Sequence, residues 1–209
     1  MRIKWFSLIR ITGLLLVLLY HFFQTIFPGG FFGVDVFFTF SGFLITSLLL
    51  EEFGKARQID LLGFFKRRFY RIVPPVVLMV LVTMPFTLLV RQDYVAGIGG
   101  QIAGVFGFMT NFYEMLTGGS YESQFIPHLF VHNWSLAVEV HYYILWGLAV
   151  WFLSKRSKSS SQLRGMVFLL SAGAFIISFF SMFIGSLMAS SHSSVYFSSL
   201  THVYPFFLG

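Results

Sequence analysis

A succession of apolar runs, each about as long as a bilayer is thick, constrains this chain more than any other feature. Runs of about 20 residues, the length that spans hydrocarbon as a helix, lie at 7–27, 32–50, 72–90, 97–116, 134–152 and 166–188, and a further one begins near residue 195. Backbone N–H and C=O groups in hydrocarbon must be satisfied within their own segment, so such runs fold as helices. The expected fold is all-α, a polytopic helical bundle integral to a membrane. Composition agrees. Charged residues are 11% of the chain and hydrophobic residues 56%, whereas a soluble domain carries about a quarter charged. The first run follows basic residues, as a signal peptide does, but it is too long and lacks a small-residue cleavage site, which favours a retained anchor. The absence of cysteine excludes disulfides, thiolate metal ligands and a cysteine nucleophile. No metal is implied.

The net charge of +6 raises the question of nucleic acid, but its placement points to membrane lipids and excludes a nucleic-acid partner. Basic residues fall in short clusters between apolar runs: Arg2, Lys4 and Arg10; then Lys55, Arg57, Lys66, Arg67, Arg68 and Arg71; then Lys155, Arg156, Lys158 and Arg164. Such clusters mark cytoplasmic loops and anionic headgroups. The chain is expected to be multi-pass in a bacterial cytoplasmic membrane with its N-terminus cytoplasmic, leaving Arg91 outside. The third cluster creates a conflict. If every run crosses, that cluster lies outside; if the Gly-rich run 97–116 is re-entrant or packs without crossing, it returns inside. The sequence leaves both open.

Ionisable residues within apolar runs are candidates for chemistry because hydrocarbon makes them costly. Arg10 and His21 stand eleven positions apart, so on a helix they share a face with an axial separation of about 16 Å. A guanidinium suits an anionic ligand and a neutral imidazole suits proton transfer; a snorkelling arginine and a hydrogen-bonded histidine are the plainer reading. Asp35 follows a short turn and could orient the His21 imidazole, or simply face water at the interface. Ser41 and Gly42 suit a close-packing notch better than a nucleophile. Arg68 and Arg71, at i and i+3, can clasp a phosphate or anchor the interface. The Pro74–Pro75 pair should break the chain before the third run. Glu139, about one turn into its run, must be protonated, paired or facing a wet cavity. His141 lies on a different face and is expected at the interface.

Taken together, Arg10-x10-His21, GGFFGVDVFFTFSGFLIT from residue 29, FKRRFYRIVPP from residue 65 and HNWSLAVEVHYYILW from residue 132 resemble the membrane acyltransferase-3 family in order and spacing. The resemblance covers essentially the whole chain. It implies a membrane-bound acyltransferase that O-acetylates a cell-envelope glycan, peptidoglycan or surface polysaccharide, with acetyl-CoA as the cytoplasmic acyl donor. It assigns activity to Arg10, His21, Arg68, Arg71 and Glu139, and residues 1–209 would be the N-terminal, C-terminally incomplete portion of the transmembrane domain. Some members carry an extracytoplasmic SGNH-type domain, a further expected partner. After Glu139 the chain departs from the family's usual E-E-Q-F-Y, reading Glu139-Val140-His141-Tyr142-Tyr143. The expected roles are then His21 as general base or acyl relay, Asp35 and Glu139 as its orienting carboxylates, and Arg10, Arg68 and Arg71 as donor-binding groups. Two other readings stand beside this one: a transporter or channel component with Arg10 and His21 lining a permeation path, and an inactive membrane fragment.

Overall fold

The structure, a computed structural model, describes residues 4–23, 25–89, 97–117, 128–189 and 192–209. Among these residues every regular element is helical: α1 (Lys4–Phe22), α2 (Gly33–Ala56), α3 (Leu61–Phe86), α4 (Ile98–Phe106), α5 (Thr110–Thr117), α6 (Trp134–Arg156), α7 (Ser160–Met188) and α8 (His192–Phe197). Short 3-10 turns at Pro28–Phe32, Val131–Asn133 and Tyr204–Leu208 connect or follow them. Four stretches are long and apolar enough to cross a membrane: Pro28–Ala56, Leu61–Phe86, Val131–Arg156 and Ser160–Met188. The first helix is shorter.

Helix α6 is the post around which the bundle is built. Trp134, Val138, Tyr142, Trp146 and Val150 recur every fourth residue and are all buried, forming one stripe along the helix. Ile45, Leu49 and Phe53 of α2, Phe64 of α3 and Leu163 and Val167 of α7 meet them in a single core. The opposite faces of the long helices are apolar too. Leu78 and Leu81 on α3, and Phe168, Leu169, Ile177 and Leu187 on α7, are all more than 60% exposed. Water does not tolerate such a continuous apolar surface; hydrocarbon does.

Three expectations are corrected. The third span does not begin behind Pro74–Pro75. Asp60 caps α3 by accepting from the Gly63 N–H at 2.9 Å, and the helix runs through both prolines, so the basic FKRRFYR segment forms its first turns. Proline inside a membrane helix is tolerated because neighbouring groups and local adjustment satisfy the carbonyls it frees. The run 97–116 is not one span. It breaks into α4 and α5, of nine and eight residues, each about 12–14 Å long. Phe108 takes the left-handed conformation, φ 52°, at the break, and glycines lower helix propensity throughout α4. The run expected from residue 195 is the short α8, followed by a turn that packs against α2 and α7.

The broken helix resolves the conflict over the basic clusters. Arg57, after α2, donates from Nη1 to Ser160 Oγ and from Nη2 to the Lys158 carbonyl, each at 3.1 Å. The loops 57–60 and 157–159 therefore meet at one end of the bundle, as they do only if 97–116 folds back without crossing. Arg91 lies outside the described residues.

Close backbone approach joins the remaining pieces. An added Cβ at Gly33 of α2 would stand 2.6 Å from the Gly13 carbonyl of α1, and one at Gly42 would overlap the Phe206 carbonyl. Gly54, on the same helix, has open space around it. Gly42→Ala should therefore lose about 1–3 kcal/mol through overpacking, while Gly54→Ala should be neutral or gain up to about 1 kcal/mol of helix propensity. Denaturation midpoints of the two purified variants in detergent measure the contrast.

Candidate active site

The end of the bundle away from the Arg57 contact holds a cavity of about 520 Å³ between α1, α2 and α6. Its walls are aromatic and aliphatic, and its polar lining comes from His21, Ser41, His132, Ser135 and Glu139. His21 comes from the last turn of α1, Ser41 from the third turn of α2 and Glu139 from the second turn of α6.

His21 closes the last turn of α1. Its Nδ1 lies 2.8 Å from the Val17 carbonyl. A carbonyl only accepts, so Nδ1 carries the hydrogen, and in the neutral ring the lone pair is on Nε2. The backbone thereby sets the tautomer, the task a carboxylate performs in a hydrolase triad. The ring meets His132 edge to face, centroids 4.9 Å apart.

Glu139 stands on the deeper wall. Its Oε1 accepts from Ser41 Oγ at 2.6 Å and from the Tyr143 hydroxyl one turn on. Two hydroxyls on one carboxylate oxygen satisfy a charge that hydrocarbon would otherwise penalise heavily. Ser41, expected as part of a packing notch, faces this cavity; the notch is Gly42 alone. Tyr143 and His132 are site residues that sequence reasoning missed. The signal for Tyr143 was its i+4 spacing from Glu139; nothing local to the sequence singled out His132, which reaches the cavity through the 3-10 turn before α6.

The structure separates the other candidates. Asp35 does not orient His21: its Oδ1 is 2.8 Å from Nε2 of His202, a buried histidine 167 residues downstream. Arg10 does not line the cavity; its guanidinium lies 4.8 Å above the Phe40 ring. The helical face shared by Arg10 and His21 is thus not a shared cavity, because the side chains of α2 fill the space between them.

Arg68 is half-buried at the basic end, 5.9 Å above the Phe64 ring, and its Nε has no hydrogen-bond partner. It lines a second cavity of about 370 Å³ with Glu51, Glu52, Lys55 and Arg67. Arg71 is exposed and does not line it, so the geometry groups Arg68 with Arg67 in place of the expected i, i+3 pair. Two of the lining cations already have carboxylate partners: Lys55 with Glu51 at 2.6 Å and Arg67 with Glu52 at 3.3 Å.

Helices α4 and α5 brace the cavity mouth. Buried Gln101 accepts from the Phe130 N–H at 3.2 Å, and His128 lies 2.8 Å from buried Glu114. Burial pushes the Glu114 carboxyl above its ordinary range, and the His128 contact opposes that shift. Both bonds fix the segment that leads into His132. His141, expected at the interface, is half-buried with its Nδ1 2.8 Å from Ser199 Oγ. Among the described residues no cluster of three or more acidic or histidine side chains gathers as a metal site.

Comparison with known proteins agrees with this architecture. The acyltransferase domain family matches residues 3–209. O-acetyltransferase OatA of Staphylococcus aureus strain NCTC 8325 / PS 47 is 32% identical over 203 residues, which cover 96% of this chain and 32% of that protein. A protein of S. aureus strain COL, named provisionally as an O-acetyltransferase, is 34% identical over 202 residues, 96% of this chain and 33% of its own length. The chain thus spans about a third of the curated relatives it matches. No solved structure matches. With the family matched over all but its first two residues, the chain belongs to the acyltransferase-3 family.

Proposed function

We propose that this chain forms part of a bacterial membrane acyltransferase that moves an acetyl group from cytoplasmic acetyl-CoA to a hydroxyl of a cell-envelope glycan. The observation that carries this reading is the cavity shared by His21, with its tautomer set by Val17, and the hydroxyl-ligated Glu139. The O-acetyltransferase names of the relatives support the reaction class. Basic residues concentrated at the opposite end support placing that end in the cytoplasm, with the cavity toward the outer leaflet, where an envelope acceptor arrives.

In this reading Arg68, with Arg67 beside it and Arg71 at the rim, receives the phosphates of the donor, and Arg10 steadies the donor's charged portion at the same side. The acyl group reaches the layer occupied by Glu139 and Tyr143. The acceptor hydroxyl enters the outer cavity, and His21 Nε2 takes its proton as the oxygen attacks the thioester carbonyl. The carbon–sulfur bond breaks, and the leaving thiolate takes the proton from His21. Glu139, held by Ser41 and Tyr143, shapes the field around the reacting carbonyl.

Orientation is tested with a cysteine at Gln58, which is exposed in the 57–60 loop; the natural chain has none. A membrane-permeant thiol reagent should block it in intact cells and an impermeant one should not. Labelling by the impermeant reagent would invert the bundle.

For the chemistry, His21→Ala in the full-length protein should lower acetyl transfer by about 10²–10⁴-fold, the range for losing a general base, while acetyl-CoA still binds. Near-normal turnover would reduce the histidine to a packing role.

Arg68→Lys keeps the charge but loses the guanidinium fork. The apparent KM for acetyl-CoA should rise roughly tenfold, the equivalent of one charged hydrogen bond. Arg71→Lys should do less, because Arg71 does not line the cavity. Equal effects of the two would restore the i, i+3 clasp.

A further inference from the structure

His202 is 2% exposed and is held at both ring nitrogens. Its Nδ1 lies 2.8 Å from the Tyr196 carbonyl and its Nε2 lies 2.8 Å from Asp35 Oδ1. The ring stacks on Trp134, with centroids 5.4 Å apart and planes 28° apart, and Tyr204 lies parallel to it at 6.0 Å. Trp134 is both the first residue of α6 and a wall of the cavity that holds His21 and Glu139.

Proton bookkeeping decides what this ring is. The Tyr196 carbonyl can only accept, so Nδ1 carries a hydrogen. A neutral ring would then aim its Nε2 lone pair at an ionised Asp35, placing two acceptors 2.8 Å apart. The contact requires one more proton between them. That proton closes the pair into one hydrogen-bonded unit between an enclosed ring and a carboxyl whose side chain is 20% exposed.

We propose that His202 is a further positioning residue of the transfer site, a ring fixed between Asp35 and the Tyr196 carbonyl that sets the Trp134 wall of the cavity. Asp35 acts through it and does not touch the substrates. The imidazole stacked on the indole face holds Trp134 and with it the first turn of α6; Glu139 projects from the next turn. This inference rests on reading that cavity as the transfer site.

The discriminating variant is Asp35→Asn. An asparagine N–H can donate to Nε2 of a neutral His202 whose Nδ1 still bonds Tyr196, so the geometry survives without the carboxylate. In the full-length protein, Asp35→Asn should keep at least about a third of wild-type kcat, while Asp35→Ala and His202→Ala lose about tenfold or more at little-changed donor KM. The double alanine variant should be no worse than the poorer single one, because both act through one line of contacts. An Asp35→Asn protein that is folded yet as inactive as Asp35→Ala would show that the carboxylate itself takes part in the chemistry, and a fully active His202→Ala would remove the histidine from the site. A second measurement does not depend on activity. Ring-¹⁵N histidine spectra, with His202 assigned by its loss in His202→Gln, should move at Nε2 in Asp35→Ala while Nδ1, still on the Tyr196 carbonyl, keeps its position. An Nε2 signal unchanged in Asp35→Ala would overturn the Asp35–His202 contact and with it the positioning line. Absence of acyl transfer in the wild type would overturn the proposed function instead, leaving the spectra to decide the state of the pair.

Discussion

A carboxylate surrounded by hydrocarbon has to be satisfied from within the bundle, and the arrangement of the helices follows from how Glu139 meets that demand. Ser41 from α2 and Tyr143 from the next turn of α6 converge on one oxygen. Two helices are thereby tied to one side chain. Removing one partner of such a network strands a buried polar group, which costs more than the bond itself is worth. The apolar stripe on α6 provides most of the packing, while this polar knot selects which face of α2 packs against it.

The long spans were legible because hydrocarbon demands an unmistakable pattern: extended apolar runs punctuated by basic clusters. Boundaries were less so. Pro74 and Pro75 read as a stop, yet the Asp60 cap lies upstream and α3 continues through them. The run 97–116 had the composition of a span, and only its glycines hinted at the break that Phe108 makes. For the candidate site, residue chemistry and the family resemblance single out His21, Glu139 and Arg68, and the structure places the first two on one cavity and Arg68 on another. Pairings were not found, because they cross helices: Asp35 reaches His202 across 167 positions, a distance that no local pattern encodes. Arg10 shows the converse. Helical periodicity placed it correctly on the face of His21, but periodicity does not say what the neighbouring helix puts in between.

In the proposed reaction the two cavities divide the labour between partners that arrive from different sides. One is cationic and ringed by ion pairs; the other is apolar with a few polar groups. Glu139 lines the second of them. Helices α4 and α5, too short to span, brace the outer cavity through Gln101 and Glu114. By declining to cross, they return the chain to the side where α6 can start at the cavity mouth.

The bond between His21 and Val17 carries a consequence for regulation by motion. The Val17 carbonyl lies a full turn inside α1, which runs to Phe22, so it takes the imidazole in addition to its own helical donor. The ring cannot flip to present its other nitrogen without giving up that second bond. Unwinding the last turn would carry the ring away from its acceptor. The tautomer of the group proposed to handle protons is therefore held only while the end of α1 stays wound, and helix order and chemical readiness are tied together at one carbonyl.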